Sequence, residues 1–377
     1  MITRIIEKYL KERLFQWKVI ILYGARQVGK TTLSQKILHD SSLKTKYISC
    51  DLFSNQQFLD YKNPQNIIDS FRDFDLVVLD EAQNIGNIGT ILKILVETFP
   101  NKQFIATGSS SFDLANRLNE PLTGRNFKCT LFPLSIEELK NHFDIFFIHD
   151  NLENLLIYGA YPEVFWVSQA EKQERLNLLA GDYLYRDIFK FEGIKKSEYV
   201  RNILQLLALQ IWSEVSYNEI GQKLWLNHVT VTKYIDILEQ AFIIFRVHSF
   251  SRNLRNEITK GVKIYFSDLW VRNSLINNFN PLSIRTDSGA LWENFLISER
   301  KKYLTNNMLY RNTYFWRTHA QQEIDYIEEY GWKLFIYEFK YWEKSTKAPK
   351  SFTEAYPEST FMLVNKNNYL DFVFGKI

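Results

Sequence analysis

Gly24-Ala25-Arg26-Gln27-Val28-Gly29-Lys30-Thr31 follows the apolar run Val19-Ile20-Ile21-Leu22-Tyr23 and opens a helical pattern from Thr31 to Leu38. Glycines at this spacing, closed by Lys-Thr between a strand and a helix, form a phosphate-binding loop. The glycines let backbone N–H groups curl around phosphate oxygens, and the helix N-terminus adds partial positive charge. Lys30 is placed to reach β- and γ-phosphates, and the Thr31 hydroxyl to ligate Mg²⁺.

Outward from this loop, short apolar strands alternate with helices. Strands are expected at Tyr47–Cys50, Leu76–Leu79 and Gln103–Thr107, with helices near Pro64–Phe71 and Ile88–Phe99. Such alternation signals an α/β domain with a mostly parallel sheet, here residues 1–140. Ile2, Ile5, Ile6, Tyr9, Leu10 and Leu14 recur at helical spacing and predict a covering helix in front of it. In Phe74-Asp75-Leu76-Val77-Val78-Leu79-Asp80-Glu81 an apolar strand delivers two acids to its carboxyl end, where ligands bind in open α/β sheets. Asp80 is the expected Mg²⁺ partner through water, and Glu81 the acid that orients or deprotonates an attacking water. Ser109, with Thr107 beside it, is the expected γ-phosphate sensor. Arg125 in Leu122-Thr123-Gly124-Arg125 is a candidate to stabilise transition-state charge in a neighbouring copy, or a surface arginine in a glycine turn.

Composition narrows the classes. The chain has 377 residues, 46% hydrophobic and 24% charged, which excludes a disordered or fibrous chain and predicts two or three domains. Lys and Arg exceed Asp and Glu by only +3, so any nucleic-acid surface is local. Two cysteines, Cys50 and Cys129, are too few for a disulfide framework and fit a reducing cytoplasm. The longest apolar runs are strand-length, well short of the roughly 18 residues of a membrane span, and the charged N-terminus has no signal-peptide core.

Gly-Ala-Arg-Gln-Val-Gly-Lys-Thr-Thr (24–32), Leu-Asp-Glu-Ala-Gln (79–83), Thr-Gly-Ser-Ser-Ser (107–111) and Leu-Thr-Gly-Arg…Phe-Pro-Leu-Ser (122–135) together resemble prokaryotic AAA-type ATPases that carry a C-terminal domain of unknown function. The resemblance continues through Tyr-Gly-Ala-Tyr-Pro-Glu (158–163), Tyr-Leu-Tyr-Arg-Asp-Ile (183–188), Tyr-Phe-Ser-Asp (265–268), Leu-Trp-Glu-Asn (291–294) and Glu-Ile-Asp-Tyr-Ile…Tyr-Glu-Phe-Lys (323–340). It implies a P-loop NTPase sheet, ATP and Mg²⁺ as cofactors, nucleotide contacts over Gly24–Thr32 including Thr32, and ATP hydrolysis.

After the ATPase domain the sequence predicts a helical connector at 141–199, a winged-helix-like domain at 200–282 and a small α/β domain at 283–377. Tyr217–Leu224 and Val229–Gln240 read as helix–turn–helix, capped by Ser216 or Asn218 and by Asn227, with Ala241–Val247 and Val262–Phe266 as the wing. The second helix offers His228, Thr230, Thr232, Lys233 and Asp236, so phosphate contacts would fall to Arg252, Arg255, Lys260 and Lys263. DNA binding and a packing or oligomerisation role both remain open for it. A helix at Leu291–Leu304 precedes strands at Tyr314–Arg317, Ile324–Ile327 and Leu334–Phe339. Asp325 and Glu338-Phe339-Lys340 on this hairpin, with Glu293 on the helix, resemble the restriction-endonuclease-like fold. Glu293, Asp325 and Glu338 are expected to gather around a divalent metal, with Lys340 beside them. Two readings follow: an ATPase that drives a DNA-handling half, or a nucleotide-gated scaffold with an inactive nuclease-like domain.

Overall fold

The computed structural model describes residues 2–59, 63–109, 122–188, 197–251, 261–318, 320–342 and 345–376. They divide into two compact units, Met1–Leu134 with Gln240–Phe242, and Ser135–Glu239 with Ile243–Ile377.

In the first unit, β1 (Val19–Tyr23), β2 (Thr45–Ser49), β3 (Leu76–Asp80), β4 (Gln103–Gly108) and β5 (Asn126–Thr130) form one sheet in the order β2-β3-β4-β1-β5. Every pairing is parallel, so all carboxyl ends share one edge. β1, β3 and β4 are buried at every residue, as a parallel sheet covered on both faces requires. This is the expected α/β P-loop NTPase core. The apolar runs and helices of the sequence fall where they were expected, including Lys30–His39 after β1 and Ile88–Thr98 after β3. β5 was not foreseen, because its run Asn-Phe-Lys-Cys-Thr is mixed and buries only Cys129, at the sheet edge. The covering helix is real but shorter, Ile6–Glu12, with Ile2, Ile6 and Leu10 buried. Its Glu7 accepts a hydrogen bond from Lys36 at 2.6 Å.

In the second unit a six-stranded mixed sheet runs β11-β10-β9-β8-β6-β7. Its strands are β6 (Ile244–Ser249), β7 (Val262–Phe266), β8 (Asn312–Arg317), β9 (Glu323–Tyr330), β10 (Lys333–Phe339) and β11 (Thr360–Val364). The expected helix pair is present at Tyr217–Leu224 and His228–Gln240; Ser216 caps the first and Asn227 accepts from the Thr230 amide at 2.7 Å. The two strands that follow pair antiparallel, but β6 also pairs in parallel with β8. They are therefore built into the larger sheet rather than standing out as a separate wing. The division expected at 282/283 falls between β7 and β8 of this one sheet.

The helix Ser288–Asn306 is buried on nearly all sides. A charged helix can be buried only if each charge is matched. Arg300 donates from Nε to Glu328 Oε1 at 2.6 Å and from Nη2 to Oε2 at 2.9 Å, while Arg311 donates to Oε2 at 2.6 Å. Glu328 is fully buried on β9. Breaking a buried pair from one side leaves an uncompensated charge. Glu328→Gln is expected to cost about 3–5 kcal/mol, read as a lowered urea midpoint; an unchanged midpoint would show that this cluster does not hold the fold.

Candidate functional site

The phosphate loop starts where β1 ends. Gly24 has φ +155°, and a Cβ there would lie 2.2 Å from the Leu131 carbonyl oxygen, so only glycine lets the two chains pass. Gly29, at φ +99°, turns the chain into the helix Lys30–His39. The far side of the loop is braced by Arg4, whose guanidinium donates to the carbonyls of Val28, at 2.7 Å, and Phe132, at 2.5 Å. Lys30 is buried, and its ammonium donates to the carbonyls of Gly24 and Ala25 at 2.9 Å each. Gln27 and Thr32 are exposed, whereas Thr31 is turned inward.

Asp80 is the centre of the site. Its carboxylate accepts from the hydroxyls of Thr31 at 2.7 Å, Tyr47 at 2.6 Å and Thr107. Burial, then Asp80 itself, raises the Tyr47 phenol well above its ordinary pKa, so it stays a donor. Glu81 adopts φ +53°, unusual for a side-chain-bearing residue, with its amide on Thr107 Oγ1 at 3.1 Å. That conformation sets its carboxylate 3.9 Å from Lys30 Nζ. Gln83 Nε2 donates both to Glu81 and, at 3.2 Å, to Ser109 Oγ. The structure thus gathers Lys30, Thr31, Asp80, Glu81 and Ser109 at one edge. Thr107 is the hydroxyl that holds the acids; Ser109 meets them through Gln83. Arg4, Tyr47 and Gln83 were not singled out from sequence, since nothing near them in the chain names their partners.

Arg125 is elsewhere. It precedes β5, whose Asn126 pairs with Val19 at the start of β1, so it sits at the opposite edge from the loop. A five-residue strand separates the edges by roughly 17 Å. There Arg125 makes an exposed ion pair with Glu97 at 3.0 Å.

In the second unit, Glu293, Asp325, Glu338 and Lys340 do line one cavity, of about 510 Å³, together with Glu323 and Arg317. The expected metal cluster is corrected by what each acid already holds. Lys263, which is buried, bonds Glu293 at 3.0 Å and Glu323 at 2.6 Å. Tyr265 donates to Glu293 at 2.6 Å, Lys340 donates to Glu338 at 2.6 Å, and the Phe339 amide donates to Asp325 at 2.8 Å. Among the described residues, no three His, Cys, Asp or Glu side chains are set to hold a metal ion. Lys263 is also unavailable to DNA phosphates, contrary to its expected place in a wing; Arg252, Arg255 and Lys260 lie outside the described residues.

Residues 16–140 match the family model described as AAA domain. Residues 149–282 and 288–374 match two models, each a domain of unknown function (DUF8612 and DUF4143). An uncharacterized protein of Mycobacterium tuberculosis, Rv2008c, is 25% identical over 88% of this chain and 72% of its own length. The uncharacterized Methanocaldococcus jannaschii protein MJ1544 is 22% identical over 86% of this chain and 75% of its own. Among solved structures, the Thermotoga maritima RuvB Holliday junction branch migration motor aligns over 64% of this chain and 88% of its own, at 19% identity and a TM-score of 0.31. AMPPCP-bound DnaA from Aquifex aeolicus aligns over 62% and 86%, at 18% identity and a TM-score of 0.28. No helix among the described residues is long and apolar enough to cross a membrane.

The cavity has a pH signature. Burial, reinforced by Glu293 and opposed by Lys263 and Lys340, pushes Asp325 up to about 7. A carboxyl raised on folding binds its proton more tightly in the native state, so its contribution falls as pH rises from about 4 through 7. Asp325→Asn keeps an acceptor for the Phe339 amide and loses the titration. The variant should gain on the parent by roughly 2–4 kcal/mol between pH 4 and pH 8, measured by denaturant midpoints at each pH; parallel pH profiles would refute the shift.

Proposed function

We propose that this chain, whose residues 16–140 match an AAA domain and whose remainder matches two domains of unknown function, binds ATP with Mg²⁺ and hydrolyses it, the nucleotide cycle controlling the C-terminal module. One observation carries this reading: Thr31 and Asp80 are hydrogen-bonded at 2.7 Å beside the buried Lys30, with Glu81 next in the chain. Hydroxyl and carboxylate oxygens suit a hard divalent cation, which when bound would neutralise phosphate charge. The loop suits a phosphate chain: Gly24 lets it pass beneath the Leu131 carbonyl, and Gly29, at φ +99°, turns it into the helix Lys30–His39, whose first turn offers backbone N–H groups to phosphate oxygens. Lys30 holds β- and γ-phosphate oxygens, and Thr31 and Asp80 hold the cation. Glu81, fixed by its own backbone and by Gln83, orients the attacking water and accepts its proton. Ser109 sits one side chain further, placed to respond to the γ-phosphate through Gln83. Arg125, on the far edge of its own sheet, serves a second copy in a homo-oligomer. Buried, free Cys50 and Cys129 fit a cytoplasmic protein.

For the C-terminal module the pairing of every acid in its cavity favours a binding role over metal-dependent nuclease activity. The helix pair remains a second candidate for contacting DNA, with His228 and Lys233 exposed.

Phosphate release with Mg²⁺, with and without DNA, tests the proposal. Lys30→Ala is expected to lose ATP binding; unchanged affinity would overturn the loop assignment. Glu81→Gln should bind ATP as the parent does and turn over at least about 100-fold more slowly, the scale of a lost general base. Arg125→Ala should bind but hydrolyse poorly, and mixing it with Lys30→Ala should restore part of the rate; no rescue at any ratio argues against action between copies.

A further inference from the structure

A cavity of about 620 Å³ opens where the carboxyl half of the helix Ser288–Asn306 meets β6, the start of β8 and the β9–β10 turn. Three consecutive bases on that helix have different fates. Arg300 is held by Glu328, and Lys302 donates to Glu299 at 2.6 Å. Lys301, which lines the cavity, has its ammonium 4.2 Å from the centre of the Phe245 ring and makes no hydrogen bond or ion pair among the described residues. Burial lowers its pKa below the ordinary lysine value, with Glu239 pulling the other way. An ammonium carries three donors, and the half-buried one of Lys301 faces the cavity with no protein acceptor among the described residues.

Other charges of the wall have partners. Arg311 pairs with Glu328 and lies over the Tyr330 ring, 5.7 Å from its centre. Arg246 is committed to Asp236 and Glu239, and the rim acid Glu329 faces the Asn312 amide at 3.5 Å. Around the mouth stand Tyr310, Tyr330 and Trp332, exposed by 84%, 62% and 88%. Trp332 follows Gly331 in the tight β9–β10 turn, both at positive φ. An anion answers Lys301 but leaves these rings bare; an apolar ligand does the reverse. A strand that alternates phosphate with exposed flat bases answers both, whereas a duplex hides its base faces.

We propose that this cavity takes a phosphate of single-stranded nucleic acid on Lys301, with neighbouring bases stacked on Tyr310, Tyr330 and Trp332. The inference does not rest on the ATPase reading, and it uses neither the helix pair nor the acid-lined cavity. The test is fluorescence anisotropy of a labelled oligothymidylate of about 12 nucleotides, within the usual site sizes, titrated with the full chain carrying Lys30→Ala so that the phosphate loop does not contribute. Lys301→Met should weaken binding at least tenfold, and Lys301→Arg should retain most of it. Tyr330→Ala with Trp332→Ala, both on exposed side chains and so safe for folding, should also weaken binding at least tenfold. Equal binding by the Lys301→Met and ring variants would overturn the proposal. So would duplex DNA of the same length bound as tightly as the single strand, or thymidine monophosphate competing as well as the oligonucleotide.

Discussion

The phosphate site exists because β1 pairs in parallel with both of its neighbours. Tyr23, its last residue, lies opposite Gly108 of β4 and Thr130 of β5. Three chain exits therefore crowd one edge: the loop at Gly24, Ser109 after Gly108, and Leu131 with its carbonyl against Gly24. β3 joins on the other side of β4 and brings Asp80 to the same edge. The same constraint sends Arg125 away, since a parallel strand must be entered from the opposite edge. Proximity in the site and distance of the arginine are two results of one pairing pattern.

The second unit is organised by buried polar contacts. Asp268 accepts the amides of Ala160 at 3.0 Å and Trp270 at 3.2 Å, and Gly159 leaves no room for a side chain beside it. Asn294 bridges both backbone groups of Phe266 at 2.8 Å, next to Glu293 on Lys263 and Tyr265. The short runs Tyr-Gly-Ala-Tyr-Pro-Glu, Tyr-Phe-Ser-Asp and Leu-Trp-Glu-Asn are thus pieces of one hydrogen-bonded frame. Groups placed this way cost more unpaired than they contribute paired, which specifies one arrangement over near alternatives.

What could be read from the residues alone was whatever is local. A buried strand is apolar in sequence, a phosphate loop is a spacing, and a cap such as Ser216 announces itself three residues ahead. The convergence of Glu293, Asp325 and Glu338 was also legible, through period-two alternation in a hairpin and a helix before it. Their partners were not. Lys263 is separated from Glu293 by 30 residues, and Arg4 reaches Phe132 across 128. β5 and β11 were hidden because each buries a single residue, Cys129 and Val364, so their periodicity is weak.

The shared sheet of the second unit bears on how such proteins are inherited. The two domains of unknown function meet between residues 282 and 288, yet β6 of the first lies between β7 and β8, and β8 belongs to the second. A recombination event at that junction would strip β6 of a neighbour and open a row of unpaired backbone groups to any passing strand. It would also part Lys263 from Glu293, leaving charge buried on both fragments. Selection should therefore transmit the two segments as one heritable piece, whatever the phosphate-binding unit in front of them is exchanged for.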